Sequence, residues 1–150
     1  MRIAIGSDHA GFKLKGIIKQ RFSSLAREFA DFGVNTPQPV DYPDIAAAVG
    51  EAVARGDCDQ GILVCGTGIG MAIAANKVPG IRAALCHDVF TANAAREHND
   101  ANILTLGERV LQPEMACSIV DAWLQARFAG GRHARRLEKI VELEKKYSKK

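Results

Sequence analysis

The run GILVCGTGIG, residues 61–70, decides the fold: an apolar stretch of strand length ends at Cys65, and glycines at alternate positions open a helix behind it. A strand that delivers a glycine-rich turn into a helix is half of a βαβ unit. Gly66, Gly68 and Gly70 lack Cβ atoms, so backbone N–H groups can approach a ligand closely and the chain can take positive φ between Cys65 and the helix. Those N–H groups, with the positive end of the helix dipole, suit anionic oxygen and favour a thiolate at Cys65 over its thiol. The run reads as a base or nucleophile beside an anion cradle. The bland alternative is a small buried hydrophobe, as most free cysteines are. Cys58, Cys86 and Cys117 lack the glycine setting.

Two nucleotide readings of the same run fail. A P-loop places Lys and then Ser or Thr after its last glycine, whereas Met71 and Ala72 follow Gly70. The dinucleotide fingerprint needs a third glycine at position 71 and a place after the first strand, and this run follows the third.

Outward from this run, short β-type stretches alternate with longer helical ones, the pattern of a parallel sheet covered by helices. Strands are expected at residues 3–5, 28–31, 62–64, 82–85 and 103–105. Helices are expected from 11 to about 25, 44–54, 70–76, 88–97 and 113 to about 128, with Asp88 as a cap and Pro43 and Pro113 near helix starts. The Ala-rich helix at 70–76 is apolar on most sides and is expected to be buried. A last amphipathic helix over about 132–147 carries Leu137, Ile140, Val141, Leu143 and Tyr147 and has no following strand to cover. Such a helix packs on another subunit, which predicts a homodimer, or back onto its own domain.

In an open parallel sheet, ligands gather at the carboxyl ends of strands near the switch point. Ser7-Asp8-His9, Cys65-Gly66-Thr67, His87-Asp88 and Gly107-Glu108-Arg109 all fall there. Asp8 and His9 are ligands or simply an N-cap pair; His98-Asn99-Asp100 lies at a helix end, where a histidine complements the dipole. His87 reads as surface or cap. Arg132 and Arg136 stand one helical turn apart, a fork suited to phosphate or a solvated face.

With 150 residues, 47% apolar and 25% charged, the chain has the profile of one globular domain over 1–150. Met1 to Gly6 begin a strand at once, and no apolar run nears 18 residues, so a cytoplasmic protein without a membrane partner is expected. Four cysteines without a C-x-x-C pair indicate reduced thiols and no structural zinc. The net charge of +3 is local: residues 127–150 hold nine Lys or Arg against three Glu. A solvated helix face explains this better than nucleic acid does.

Several long motifs then converge: GSDHAGFKLK at 6–15, DYPD at 41–44, GILVCGTGIGMAIAANKVPGIRAALCHD at 61–88, REHNDANILTLGERV at 96–110 and GGRHARR at 130–136. Together, spread over nearly the whole chain, they resemble type B ribose-5-phosphate isomerases, within a family that includes galactose- and allose-6-phosphate isomerases. The resemblance implies a flavodoxin-like or Rossmann-like αβα sandwich around a five-stranded parallel sheet. It also implies a homodimer, or a tetramer, whose sites borrow residues across the interface, and aldose–ketose isomerisation of a phosphorylated sugar with neither cofactor nor metal.

By the same resemblance, Cys65 is the catalytic base and His98 opens the sugar ring, and Asp8, His9, Tyr42, Asn99, Arg109, Arg132 and Arg136 are the implied substrate contacts. The implied chemistry also calls for donors to the enediolate oxygens, for which the Thr67 hydroxyl and the N–H groups of Gly66, Thr67, Gly68, Ile69 and Gly70 are placed, while Asp8 orients sugar hydroxyls. A 6-phosphohexose as substrate and a non-catalytic sugar-phosphate sensor are the competing readings.

Overall fold

Strands β1 (Arg2–Ser7), β2 (Glu28–Asp31), β3 (Gln60–Cys65), β4 (Ala83–Leu85) and β5 (Ile103–Gly107) pair in parallel in the order β2-β1-β3-β5-β4. Helices α1 (Phe12–Phe22), α2 (Tyr42–Ala54), α3 (Ile69–Ala75), α4 (Val89–Glu97) and α5 (Pro113–Gln125) follow the strands in turn, and α6 (Arg132–Tyr147) comes last. The computed structural model describes residues 1–24 and 26–148; the expected end of the first helix at Leu25 and the frayed tail at Lys149 and Lys150 lie outside the described residues.

Side-chain alternation along the strands builds two cores. Ile3, Ile5, Ile62, Val64, Leu104 and Leu106 meet Leu14 and Ile18 of α1, Ala92 of α4 and Ile119 and Trp123 of α5 on one face. Ala4, Leu63, Cys65 and Ile103 meet Ala46 and Val49 of α2 and Met71 and Ala75 of α3 on the other. Right-handed crossovers require this division, because the chain steps one way along the sheet through α1 and α4 and the opposite way through α2 and α3. The result is the expected three-layer α/β sandwich.

The strand order departs from the flavodoxin order 2-1-3-4-5 in one respect: β5 is inserted between β3 and β4. That exchange sets Cys65 directly beside Gly107 in the ladder, and so brings Glu108 and Arg109 to the cysteine.

Strands β1, β3 and β5 run one or two residues past their expected bounds, and four helices differ from expectation in boundary or environment. α1 ends at Phe22 because Ser23 turns extended (ψ 131°), with its N–H and hydroxyl both donating to the Lys19 carbonyl. α5 stops at Gln125, where Ala126 is likewise extended. α2 begins two residues early, at Tyr42, behind Asp41. α3 is only half buried: Met71 and Ala75 face the core, while Ile69 and Ile73 are 52% and 59% exposed. One face of this short helix meets α2 and the sheet, and the opposite isoleucine face is left uncovered by the described residues.

α6 buries none of its side chains and leaves Ile140, Val141, Leu143 and Tyr147 exposed. It touches its own domain where the Glu144 carboxylate accepts from Gly80 N–H at 3.0 and 3.2 Å. No helix is long and apolar enough to cross a membrane among the described residues.

Candidate active site

Cys65 ends β3 on the α2/α3 face, 5% exposed, and its Sγ accepts a hydrogen bond from Gly68 N–H at 3.1 Å. The bond depends on the loop's shape. Gly68 holds φ at +80°, and a Cβ there would lie 2.5 Å from Leu85 Cδ1 and 3.0 Å from the Leu106 carbonyl carbon. The buried Thr105 hydroxyl fixes the same turn by donating to the Gly68 carbonyl at 3.0 Å.

Two N–H groups of the expected cradle are therefore already used: Gly68 N–H on the sulfur, and Ile69 N–H on Thr67 Oγ1 at 3.2 Å. The cradle reading is corrected to that extent. The flanking glycines serve instead to let large side chains close in. A Cβ on Gly66 would meet the Arg109 guanidinium at 3.1 Å, and one on Gly70 would meet the Tyr42 ring at 2.5 Å. Arg109 and Tyr42 thus bracket the loop from β5 and α2, and both remain exposed to a ligand.

The β1 end adds Asp8 and His9. Asp8 is 6% exposed, and its Oδ1 accepts from Ala10 and Gly11 N–H at 3.0 and 3.1 Å, so it does cap the short 3-10 turn His9–Gly11. Oδ2 makes no hydrogen bond among the described residues. His9 is exposed, and its Nδ1 accepts from Val40 N–H at 3.4 Å, which leaves Nε2 for a ligand. Glu108 supports the rim from behind by accepting from Leu14 N–H at 2.6 Å.

The remaining expected residues lie elsewhere. His98 caps the carboxyl end of α4, and a helix that leaves the carboxyl edge of a parallel sheet returns the chain to its amino edge. There Asn102 O accepts from Gly61 N–H at the start of β3 (2.9 Å), and Ala129 N–H donates to Glu97 O. His98 and Asn99 therefore sit at the amino edge, with Arg132 and Arg136 on the first turns of α6. A five-residue strand at ~3.3 Å per residue separates the two edges by roughly 17 Å. Within one chain the expected site residues thus fall into two groups that do not meet.

The amino-edge half contains a residue the sequence reading passed over. The His133 ring stacks on His98 with centroids 4.4 Å apart and planes 12° off parallel. Partial burial, then the charges of His98, Arg132 and Arg136, push the His133 imidazole below its ordinary value. His87 is exposed beside Asp88, whose carboxylate accepts from Thr91 N–H at 2.7 Å as the expected cap.

Comparison with known proteins adds the following. Residues 3–140 match the sequence model of the Ribose/Galactose Isomerase family. The structure of ribose-5-phosphate isomerase B from Clostridium thermocellum superposes with a TM-score of 0.96 at 56% identity, covering 98% of this chain and 99% of that one. Ribose-5-phosphate isomerase B of Escherichia coli is 47% identical over 145 residues, 97% of each chain. The Mycoplasma genitalium ribose-5-phosphate isomerase B, solved with bound ribulose 5-phosphate, gives a TM-score of 0.92 at 44% identity over 96% of both chains.

Proposed function

This chain belongs to the ribose/galactose isomerase family, and from that membership and its two half-sites we propose that it interconverts ribose 5-phosphate and ribulose 5-phosphate through ring opening and a cis-enediolate. One observation carries the reading: the Cys65 sulfur at the carboxyl edge, bonded to Gly68 N–H in a loop bracketed by Tyr42 and Arg109.

Ribose 5-phosphate is chiefly a closed furanose, so a proton must first pass between the ring oxygen and the anomeric hydroxyl. An imidazole suits that step at neutral pH, and His98 supplies it, with Asn99 beside it on the sugar. Cys65, as the thiolate, then takes the C2 proton and returns it to C1 across one face of the planar enediolate, while the O2 hydroxyl proton passes to O1. One base serves both carbons. Charge growing on the enediolate oxygens meets the Thr67 hydroxyl and the backbone N–H groups that the loop has not spent on itself; one such donor is typically worth ~10²–10³ in rate. The unreacting phosphate is gripped by His9, Arg132 and Arg136, and Asp8 and Arg109 hold sugar hydroxyls, so remote binding energy places C1 and C2.

Because the half-sites stand at opposite edges, the working unit is a homodimer: His98, Asn99, Arg132 and Arg136 of one copy complete the Cys65 site of the other. A two-fold axis makes two such sites at once. The open Ile69 and Ile73 of α3 and the apolar side of α6 supply surface for that contact. A mechanism that needs Cys65 as a free thiol belongs in a reducing compartment, the cytoplasm.

Ketopentose formation from ribose 5-phosphate by the purified chain tests the proposal. Cys65→Ala is expected to fold and still bind the sugar phosphate while turnover falls by ~10²–10⁴. Unchanged turnover ends the base assignment. Binding without conversion by the unaltered chain makes it a sensor, and faster turnover of allose or galactose 6-phosphate moves the substrate class.

A further inference from the structure

We propose that Arg82 is a positioning residue for the His98–Asn99 turn, and that it sets the geometry of ring opening from a place where it touches no substrate. The proposal rests on the ring-opening reading of His98.

After α4 ends at Glu97, His98, Asn99 and Asp100 carry the chain around a tight turn in which Asp100 takes φ +42°, inside the left-handed region that non-glycine residues seldom occupy. Such a turn persists only if its surroundings hold it. Arg82, the residue before β4, does so with one planar fork. Its Nε donates to the carbonyls of Asn99 (3.2 Å) and Asp100 (3.1 Å). Its Nη2 donates to the Asp100 carbonyl at 2.8 Å and reaches the Asp100 carboxylate at 3.5 Å.

The other side of that carboxylate is taken by Arg96 Nη1 at 3.1 Å, and the same nitrogen donates to the Ala101 carbonyl. Arg96 is anchored in turn over the buried Trp123 ring, 5.4 Å from its centroid. Arg82 is no loose surface arginine either. Its N–H donates to Asn102 Oδ1 at 2.8 Å, and its carbonyl accepts from Asn102 and Ile103 N–H, so its guanidinium is referenced to the start of β5.

His98 and Asn99 are themselves exposed, and their side chains make no hydrogen bond to protein among the described residues; the His98 ring rests only on His133. Where these two side chains point is therefore decided by the backbone beneath them, and Arg82 holds that backbone. A helix end at the surface is ordinarily finished with water. Here a fork of charge-assisted donors fixes two exposed residues, which is what a proton-transfer group needs and a plain turn does not. A displacement of 1 Å at such a group costs about 10²-fold in rate.

Two rates on each variant separate this role from a merely structural one. Conversion of ribose 5-phosphate requires ring opening. Exchange of the C1 protons of ribulose 5-phosphate with deuterated solvent requires only the enediolate, because its O5 carries the phosphate and no five-membered ring can form. Arg82→Gln is expected to lose roughly 10- to 100-fold in kcat for conversion, with KM and the exchange rate within about twofold of the unaltered chain. Arg82→Lys, which keeps the charge but as a point donor that cannot fork two carbonyls, falls between, and it serves equally if the glutamine variant does not fold. His98→Asn is the reference and is expected to show the same split. Equal losses in conversion and exchange for the Arg82 variants, or no loss in either, overturn the positioning role while His98→Asn still splits. If His98→Asn itself loses both rates equally, the ring-opening reading fails instead.

Discussion

A mixed dimer of two dead chains tests whether the site is shared. Cys65→Ala removes the base from the carboxyl-edge half and leaves the amino-edge half intact; His98→Asn does the reverse. If each site joins the carboxyl edge of one chain to the amino edge of the other, a Cys65→Ala/His98→Asn heterodimer has one site with both lesions and one with neither. Random pairing of equal amounts makes half of the dimers mixed, so a quarter of all sites are intact and activity recovers to about 25% of the unaltered enzyme. Tandem purification through a different tag on each chain removes the parental dimers and raises this to about 50%. If instead every site is built within one chain, each carries a lesion and activity stays near the parents' level, a percent or less for the loss of a proton-transfer group worth ~10²–10⁴. The structure sets the expectation: roughly 17 Å of strand separates the edges, and an imidazole cannot span it. Coupled turnover of ribose 5-phosphate by the tandem-purified heterodimer is the assay. Activity no greater than that of the parents refutes the shared site.

Two further outcomes follow from charge and burial. Burial alone would raise the Asp31 carboxyl, but hydrogen bonds from Lys19, Lys15 and Gly33 N–H outweigh it and hold the group below its ordinary value. Lys15 is only 3% exposed and also donates to the Val34 carbonyl, so Asp31→Asn strands a buried ammonium and is expected to cost about 3 kcal/mol at pH 7 by urea unfolding. Since the folded carboxyl is the stronger acid, the unaltered chain's advantage is full above the unfolded value near 4 and shrinks as pH falls below it; a gap unchanged down to pH 3 contradicts the pairing. For the thiols, burial pushes Cys86 up to about 11 and raises Cys58 and Cys117. Those three thiols are thereby made poor nucleophiles, whereas the Cys65 sulfur accepts Gly68 N–H; under the proposed base role, iodoacetamide at pH 8 is expected to label Cys65 first, with loss of activity in step and protection by ribose 5-phosphate. Mass spectrometry that finds Cys58 or Cys117 labelled first in active enzyme overturns that ordering.

Much of the fold was legible because β3 and β5 are continuous apolar runs and the helices between strands carry a 3.6-residue period. Strand order was not, since exchanging β4 and β5 changes no local pattern; pairing is decided by which edge the chain reaches, and the ladders of β5 with β3 and with β4 reveal it. The α3 segment misled for a related reason. An Ala- and Ile-rich helix reads as buried, but composition does not distinguish a helix buried on all sides from one that covers the core with a single face, and here Ile69 and Ile73 stay exposed. At the site, Cys65 and the glycines were conspicuous, whereas the reason for two of the glycines is long-range: Arg109 and Tyr42 arrive from β5 and α2. His133 and Arg82 lie within the motifs at 130–136 and 61–88 but drew no reading of their own, because what sets each apart is a long-range contact with the His98 turn.

The separation of the half-sites was implicit in the rule that located the first of them. In a parallel sheet, whatever ends a strand lies at the carboxyl edge and whatever ends a crossover helix lies at the amino edge, so Cys65 and His98 could never share an edge of one chain. The charge asymmetry takes on meaning in the same way. His98, His133, Arg132 and Arg136 crowd together, and part of the depression of the His133 imidazole comes from its cationic neighbours. Cationic side chains gathered in this way raise the local positive potential and so favour an anionic group. A long polyanion would engage the whole basic tail, but Lys139, Lys145 and Lys146 lie further along α6, away from the turn that gathers these four. Under the proposed function a single dianionic phosphate suits the crowded end better, with a partner's Cys65 loop facing it so that the carbon skeleton reaches the sulfur.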